Sequence, residues 1–269
     1  MFMEQQSRGW LLTKTEVNKV SHRVLLIPGL MGTDYVFSKL MNEKTLADNE
    51  IQLFAGNPPG FKGQPIPEGF GFSIQEYAQS VEDLCKNEKI DLILGHSFGA
   101  NVLIEVSERN IFKGKLMLIS PSLDRDAETK EMKMLDSMTR KPILSSIMWQ
   151  LTYLSMKTAF APYFKKEEEL KKIVSEAKKA PIKIAKSIFI GYFDYISGGK
   201  NLLQKLSKSE NNIYYLRGDG DDIIITDDYK KVLETSPNIK FFTIKNSTHF
   251  AMCDNPKDIA ELILKQIKE

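Results

Sequence analysis

The sequence predicts an α/β fold in which parallel strands are covered by helices on both faces. Short apolar runs recur at 24–27, 92–94, 116–119, 213–216 and 241–244, each followed by glycine or turn residues. These runs are near-continuous rather than alternating, as strands buried on both faces require, and such strands belong to parallel sheets flanked by helices. The segments between them carry helical periodicity, so strand and helix alternate. At 269 residues and 42% hydrophobic content, one large domain with an insertion is expected.

Along the chain, residues 10–17 and the segment before Val24 are expected to form an antiparallel hairpin leading into the first parallel strand at 24–27. A second strand lies near 51–54. A long loop follows, marked by Pro58, Pro59, Pro65 and Pro67 with Gly56, Gly60, Gly63, Gly69 and Gly71, and it is expected to border a site. Tyr77, Ala78, Val81, Leu84 and Cys85 share one face of a helix over 77–86, and 98–108 repeats the pattern. Residues 124–200 break the rhythm: they hold no clear strand, several helical patterns, and Met132, Met134, Met138, Met148 and Met156, five of the eleven methionines. This reads as a helical insertion. Its methionines and Trp149, Tyr153, Phe160 and Phe164 suit either the roof of an apolar pocket or ordinary helix packing. Mixed charges over 165–179 describe a solvated helix face with no partner attached. Residues 140–200 hold more lysine than acid, which suits an anionic substrate or solubility alike. The chain closes on a helix opened by Pro256, with Ile259, Ala260, Leu262, Ile263 and Ile267 as its apolar stripe.

Composition removes several function classes. Lysine and arginine total 37 against 35 acids, and a net charge of +2 gives no field to hold a nucleic-acid backbone. Cys85 and Cys253 lie far apart with no metal-type spacing and are expected as reduced, partly buried thiols. No stretch approaches a membrane span, since even 188–196 is interrupted by Gly191 and Asp194. The first residues, polar between Glu4 and Arg8, lack the apolar core of a secretion signal, so a cytoplasmic location is expected.

The chemistry concentrates at strand ends. Gly95-His96-Ser97-Phe98-Gly99 stands between a strand at 90–94 and a helix over 100–108, a G-x-S-x-G at a strand-to-helix turn. There a serine hydroxyl stands clear of the sheet, flanking glycines let the backbone turn, and the helix N-terminus faces any oxyanion formed. Such a serine needs a base to remove its proton, and the chain offers three histidines. His22 precedes the first parallel strand, at the opposite edge. His96 adjoins Ser97, but side chains around a sharp turn diverge, so it is expected to pack beneath the turn. His249, after the strand at 241–244, sits on the edge that carries Ser97 and is the expected base. The acid that orients it should follow another strand end, and Arg217-Gly218-Asp219-Gly220-Asp221-Asp222 follows the strand at 213–216. We assign Asp221, with Asp222 and Asp219 as its competitors. The backbone amides of Phe98 and of Leu30, within Pro28-Gly29-Leu30-Met31-Gly32, are the expected oxyanion donors.

Together these residues resemble the α/β-hydrolase superfamily over nearly the whole chain apart from the insertion. Ser97, Asp221 and His249 occur in that family's order. Gly29 matches the second position of its H-G-x-x-G loop, with Pro28 where many members carry histidine. Gly218-Asp219-Gly220-Asp221 looks like its acid loop, and Thr248-His249-Phe250 with Asn255-Pro256 like its histidine loop. The resemblance implies an eight-stranded, mostly parallel sheet from 1–123 and 201–269, with 124–200 as a helical cap between strands six and seven. It implies a serine hydrolase that cleaves an ester or thioester of a small to medium apolar acyl group through an acyl-enzyme, with no cofactor and no metal. Serine at position 97 argues against the family's epoxide hydrolases and haloalkane dehalogenases, which use a carboxylate nucleophile. Acyltransferases, C–C hydrolases, lyases and small-ligand receptors that keep the same residues remain the alternatives.

Overall fold

The computed structural model describes residues 2–7, 9–198 and 201–269. Lys200, where the expected cap ends, lies outside the described residues, as does Arg8. The chain opens with β1 (Phe2–Ser7) and β2 (Trp10–Thr15), then β3 (His22–Ile27) and the short helices α1 (Ser38–Met41) and α2 (Lys44–Asp48). Strand β4 (Ile51–Asn57), helix α3 (Ile74–Glu88), β5 (Leu92–His96), α4 (Phe98–Arg109) and β6 (Lys115–Ile119) follow. Five helices then run in succession: α5 (Lys130–Thr139), α6 (Pro142–Phe160), α7 (Glu167–Ala177), α8 (Ile182–Ser197) and α9 (Leu202–Ser207). Strand β7 (Ile213–Gly218), α10 (Asp227–Thr235), β8 (Ile239–Ile244), α11 (Ala251–Asp254) and α12 (Pro256–Lys268) complete it.

The eight strands form one sheet in the order β1-β2-β4-β3-β5-β6-β7-β8. Strands β3 to β8 are parallel to one another, and β1 and β2 join antiparallel at one edge. The continuous apolar runs follow from this. Leu25 and Ile27 of β3 face a cluster with Ile74, Tyr77 and Val81 of α3 and Leu103 of α4. Val24 and Leu26 of the same strand face the other cluster, with Leu40 of α1 and Ile259 and Ile263 of α12. Because all six parallel strands point one way, β3, β5, β7 and β8 deliver the segments after Ile27, His96, Gly218 and Ile244 to a single edge.

The hairpin differs from expectation. Strand β2 pairs upstream with β1, Ser7 opposite Trp10, rather than downstream with the segment before Val24. Gly9, at φ +83°, takes the left-handed turn between them, a conformation that needs no Cβ penalty at glycine. Strand β2 also pairs antiparallel with β4, which leaves β3 to the parallel part of the sheet. Helix α3 starts three residues before the expected Tyr77, because Ser73 and Glu76 close a reciprocal capping box. Among the described residues no helix is long and apolar enough to cross a membrane. Cys85 and Cys253 are both buried and unbridged.

Candidate active site

Ser97 sits between β5 and α4 with φ +49° and ψ −113°, a backbone conformation that β-carbon-bearing residues rarely hold. The turn is tight enough to dictate its neighbours. A Cβ on Gly95 would lie 2.5 Å from the Gly99 carbonyl, and one on Gly99 would lie 2.5 Å from the Ile27 carbonyl oxygen. Only glycine fits at either place. The Ser97 amide donates to the Ile119 carbonyl at 2.8 Å, which ties the turn to β6. Phe98 begins α4, so its N–H has no acceptor within the helix.

The segment after β3 runs directly against this turn. A Cβ on Gly29 would come within 3.1 Å of Ser97 Cβ and 2.8 Å of His96 Nδ1. The Gly32 amide donates to the Gly29 carbonyl at 2.9 Å, and Met31 holds φ +56°. This loop passes Ser97 at Gly29, and Gly29 and Leu30 both line the cavity described below.

The segments after β7 and β8 hold each other. Asp219 accepts from the amides of Asn246 and Ser247 at 3.0 and 3.1 Å. Asp254 accepts from the amide and hydroxyl of Thr248, both at 2.7 Å. Between these anchors, His249 Nδ1–H donates to Asp221 Oδ1 at 2.9 Å, and the same oxygen takes the Ile223 amide at 3.1 Å. A carboxylate only accepts, so this bond fixes the proton on Nδ1 and leaves Nε2 with its lone pair. Asp222 lies farther, 4.0 Å from His249 Nδ1, and accepts the Tyr163 hydroxyl. The three competing aspartates therefore divide their roles: Asp221 meets the imidazole, Asp219 braces the histidine loop and Asp222 meets Tyr163.

Burial pulls the His249 pKa down, but the hydrogen bond and charge of Asp221, with Asp222 and Glu128 behind it, outweigh burial and raise it above the ordinary value. Burial pushes the Asp221 carboxyl up, while the bond and charge of His249 hold it below the usual range. His96 is buried but also lines the cavity beside Ser97, and burial together with the nearby His249 drives its pKa well below normal, so the ring is neutral. Sequence reasoning missed its contact with the His249 segment: His96 Nε2 lies 3.0 Å from the His249 carbonyl oxygen, with the two ring centroids 4.8 Å apart. Adjacency to Ser97 was the only signal. His22 stands at the far edge, half-exposed beside Asp91.

Ser97, His249 and the Gly29–Leu30 backbone open on one cavity of about 380 Å³. No hydrogen bond joins the Ser97 hydroxyl to His249 among the described residues. Met132 of α5, Met156 and Phe160 of α6, Ile173 of α7 and Phe189 of α8 supply apolar wall. The apolar residues singled out over 124–200 divide between cavity lining and packing. Trp149 is fully buried against Phe189 of α8, Tyr153 packs beside it on α6 and donates its hydroxyl to the Ala180 carbonyl, and Phe164 packs on Phe160 and Phe250. The loop over 58–71, expected at the border, contributes no lining residue: Phe61 and the ring of Tyr77 instead pack beneath Phe98, at 5.3 and 5.2 Å. No described lysine or arginine lines the cavity. Asp221, Asp222 and His249 bring ligand-type atoms within 4.8 Å of one another. Asp221 and His249 are already bonded to each other and Asp222 to Tyr163, so this donor set suits proton handling better than a cation.

A family profile described as "alpha/beta hydrolase fold" matches residues 22–256. Among solved structures, an epoxide hydrolase, CorEH, superposes with a TM-score of 0.76 at 15% identity, covering 100% of this chain and 99% of that one. An esterase from Exiguobacterium antarcticum gives 0.75 at 15% identity, with 100% and 99% covered. A thermophilic esterase from Thermogutta terrifontis gives 0.70 at 16% identity, with 100% and 98% covered. No curated protein sequence matches the chain.

Proposed function

The chain belongs to the α/β-hydrolase fold family, and from that membership we propose that it is a serine hydrolase that cleaves an ester or thioester of a small to medium apolar acyl group. The observation that carries this reading is the bonded Asp221–His249 pair and the strained Ser97 turn opening on one apolar cavity at the carboxyl edge of the sheet.

In this mechanism the substrate carbonyl lies beside Ser97, and His249 Nε2 takes the hydroxyl proton as Oγ forms a bond to the carbonyl carbon. Asp221 stabilises the imidazolium. The Phe98 and Leu30 amides donate to the oxyanion, a contribution of about 10² to 10³ in rate for each donor removed. Collapse expels the alcohol or thiol, which leaves with the proton from His249. Water then attacks the acyl-enzyme, giving a proton to His249, which passes it to Ser97 Oγ as the bond from Oγ to the acyl carbon breaks and the acid departs. We assign 1–123 and 201–269 to a catalytic core and 124–200 to a cap that roofs the cavity, in a cytoplasmic protein, consistent with its two unbridged buried thiols.

The test is turnover of short and medium p-nitrophenyl esters. Ser97→Ala should retain the fold and lose on the order of 10⁶ in kcat. Comparable turnover by that variant, or ligand-dependent stabilisation of the wild type without turnover of any acyl ester or thioester, would overturn the assignment.

A further inference from the structure

One buried acidic side chain in the cavity touches neither Ser97 nor His249 in this structure, although its charge helps raise the His249 pKa. Glu128, between β6 and α5, is only 3% exposed, yet it lines the cavity that holds Ser97 and His249. Its Oε1 accepts two hydroxyls, from Ser122 and from Tyr192 of α8. Both O–H donors converge on one oxygen, so the pair of hydroxyls holds the carboxyl in place and leaves its other oxygen to be met from elsewhere. The second oxygen, Oε2, receives no hydrogen bond among the described residues. That oxygen is not one of the enclosed side-chain atoms left without a partner, so a donor that enters the cavity can reach it.

The rest of the lining agrees in sign. The other acids on it are Glu131 and Asp222, and the excess lysine of the cap points elsewhere. An anionic substrate, one reading of that lysine excess, would meet three carboxyl side chains here and no described lysine or arginine. We propose that Glu128 forms a subsite for a protonated amine, so that the preferred substrate is an ester or thioester bearing a small alkylammonium group. This deepens the serine-hydrolase reading and rests on it for the reaction, though not for the binding. The ammonium donates to Oε2 and pairs with its charge inside the cavity, where a neutral alkyl group of the same length leaves that oxygen unmet.

The experiment compares p-nitrophenyl 6-aminohexanoate with p-nitrophenyl heptanoate, near-equal in length, as the ratio of their kcat/KM values within each protein. Glu128→Gln keeps the side-chain shape and an acceptor for both hydroxyls. The amino-to-neutral ratio should fall about 10- to 100-fold in this variant, the worth of a charged hydrogen bond; an unchanged ratio overturns the subsite. Binding of hexylammonium and of 1-hexanol to the Ser97→Ala protein, followed by calorimetry, uses an intact Glu128 and decides the matter even if E128Q does not fold. Tighter hexylammonium binding supports the subsite, and equal or weaker binding overturns it. Preferential hexylammonium binding with no ester turnover by the wild type would remove the hydrolase reading and leave the subsite. Ester turnover without that preference would do the reverse.

Discussion

At the scale of single residues, Asp221 and His249 set each other's protonation, and the consequence is visible in pH. The proposed base works only when neutral, so activity should climb as pH rises through the His249 pKa. That pKa is raised above the ordinary 6.5, against the pull of burial, by Asp221 first and by Asp222 and Glu128 behind it. The acidic limb of kcat/KM should therefore have its midpoint above that of a free histidine. Asp221→Asn removes the nearest charge and leaves burial in place. The limb should then move to lower pH while kcat falls by about 10³ to 10⁴, because the tautomer is no longer fixed. A limb that stays in place in D221N would show that Asp221 does not tune His249. The same pair marks the limit of what the sequence can say about the site. Ser97 and His249 are picked out by their flanking strands and by the small number of histidines. Asp219, Asp221 and Asp222 share one turn, and only the fold decides that Asp221 reaches Nδ1 while Asp219 turns to the amides of Asn246 and Ser247.

At the scale of elements, legibility follows burial. Strands covered on both faces, such as β5 and β6, announce themselves as unbroken apolar runs. Strand β1 is exposed along nearly all its length and reads Phe-Met-Glu-Gln-Gln-Ser, so no periodicity marks it, and the partner of β2 is misplaced as a result. Helices α1 and α11, at four residues each, are too short for a 3.6-residue pattern, and α10 buries only Leu233. A helix end closed by side chains runs beyond the apolar stripe that marks the helix, which is why the start of α3 falls three residues before Tyr77. At α3, Ser73 accepts the Glu76 amide at 3.2 Å while Glu76 accepts the Ser73 amide at 2.9 Å. Ser73→Ala removes the acceptor of the Glu76 amide while Glu76 can still accept the amide of residue 73, and it should lower stability by about 1 kcal/mol in urea unfolding. Ester turnover should be retained, since no residue of α3 lines the cavity. A stability change near zero would mean that solvent replaces the cap.

At the scale of the molecule, the question is whether the proposed cap is a separate folding unit or part of one core. The helices between β6 and β7 do not pack only among themselves. Trp149, Phe189 and Phe193 share a buried cluster with Leu25 and Ile93 of the sheet and with Val81 and Leu103 of α3 and α4. Met156, Phe164 and Ile173 share the cluster on the other face with Leu26, Leu94 and Ile259. Polar links reinforce the join: Lys39 meets Glu169 at 2.8 Å, and Lys62 meets Glu176 at 3.6 Å. Apolar burial continuous across both parts makes loosening one expose the other, so chemical denaturation should be a single transition, with near-UV and far-UV signals coincident. Trp149 tests this most directly. It is fully buried, 5.3 Å from Phe189 in an edge-on contact, and its indole N–H donates to the Thr139 hydroxyl at 2.9 Å. Trp149→Ala opens a large cavity and strands that hydroxyl, so the whole molecule should lose about 3 to 5 kcal/mol. In one cooperative unit the loss appears as a shift of the single midpoint, with the slope unchanged. A cap that folds on its own would instead melt first in this variant, splitting the curve in two while the Asp221–His249 edge keeps its original midpoint.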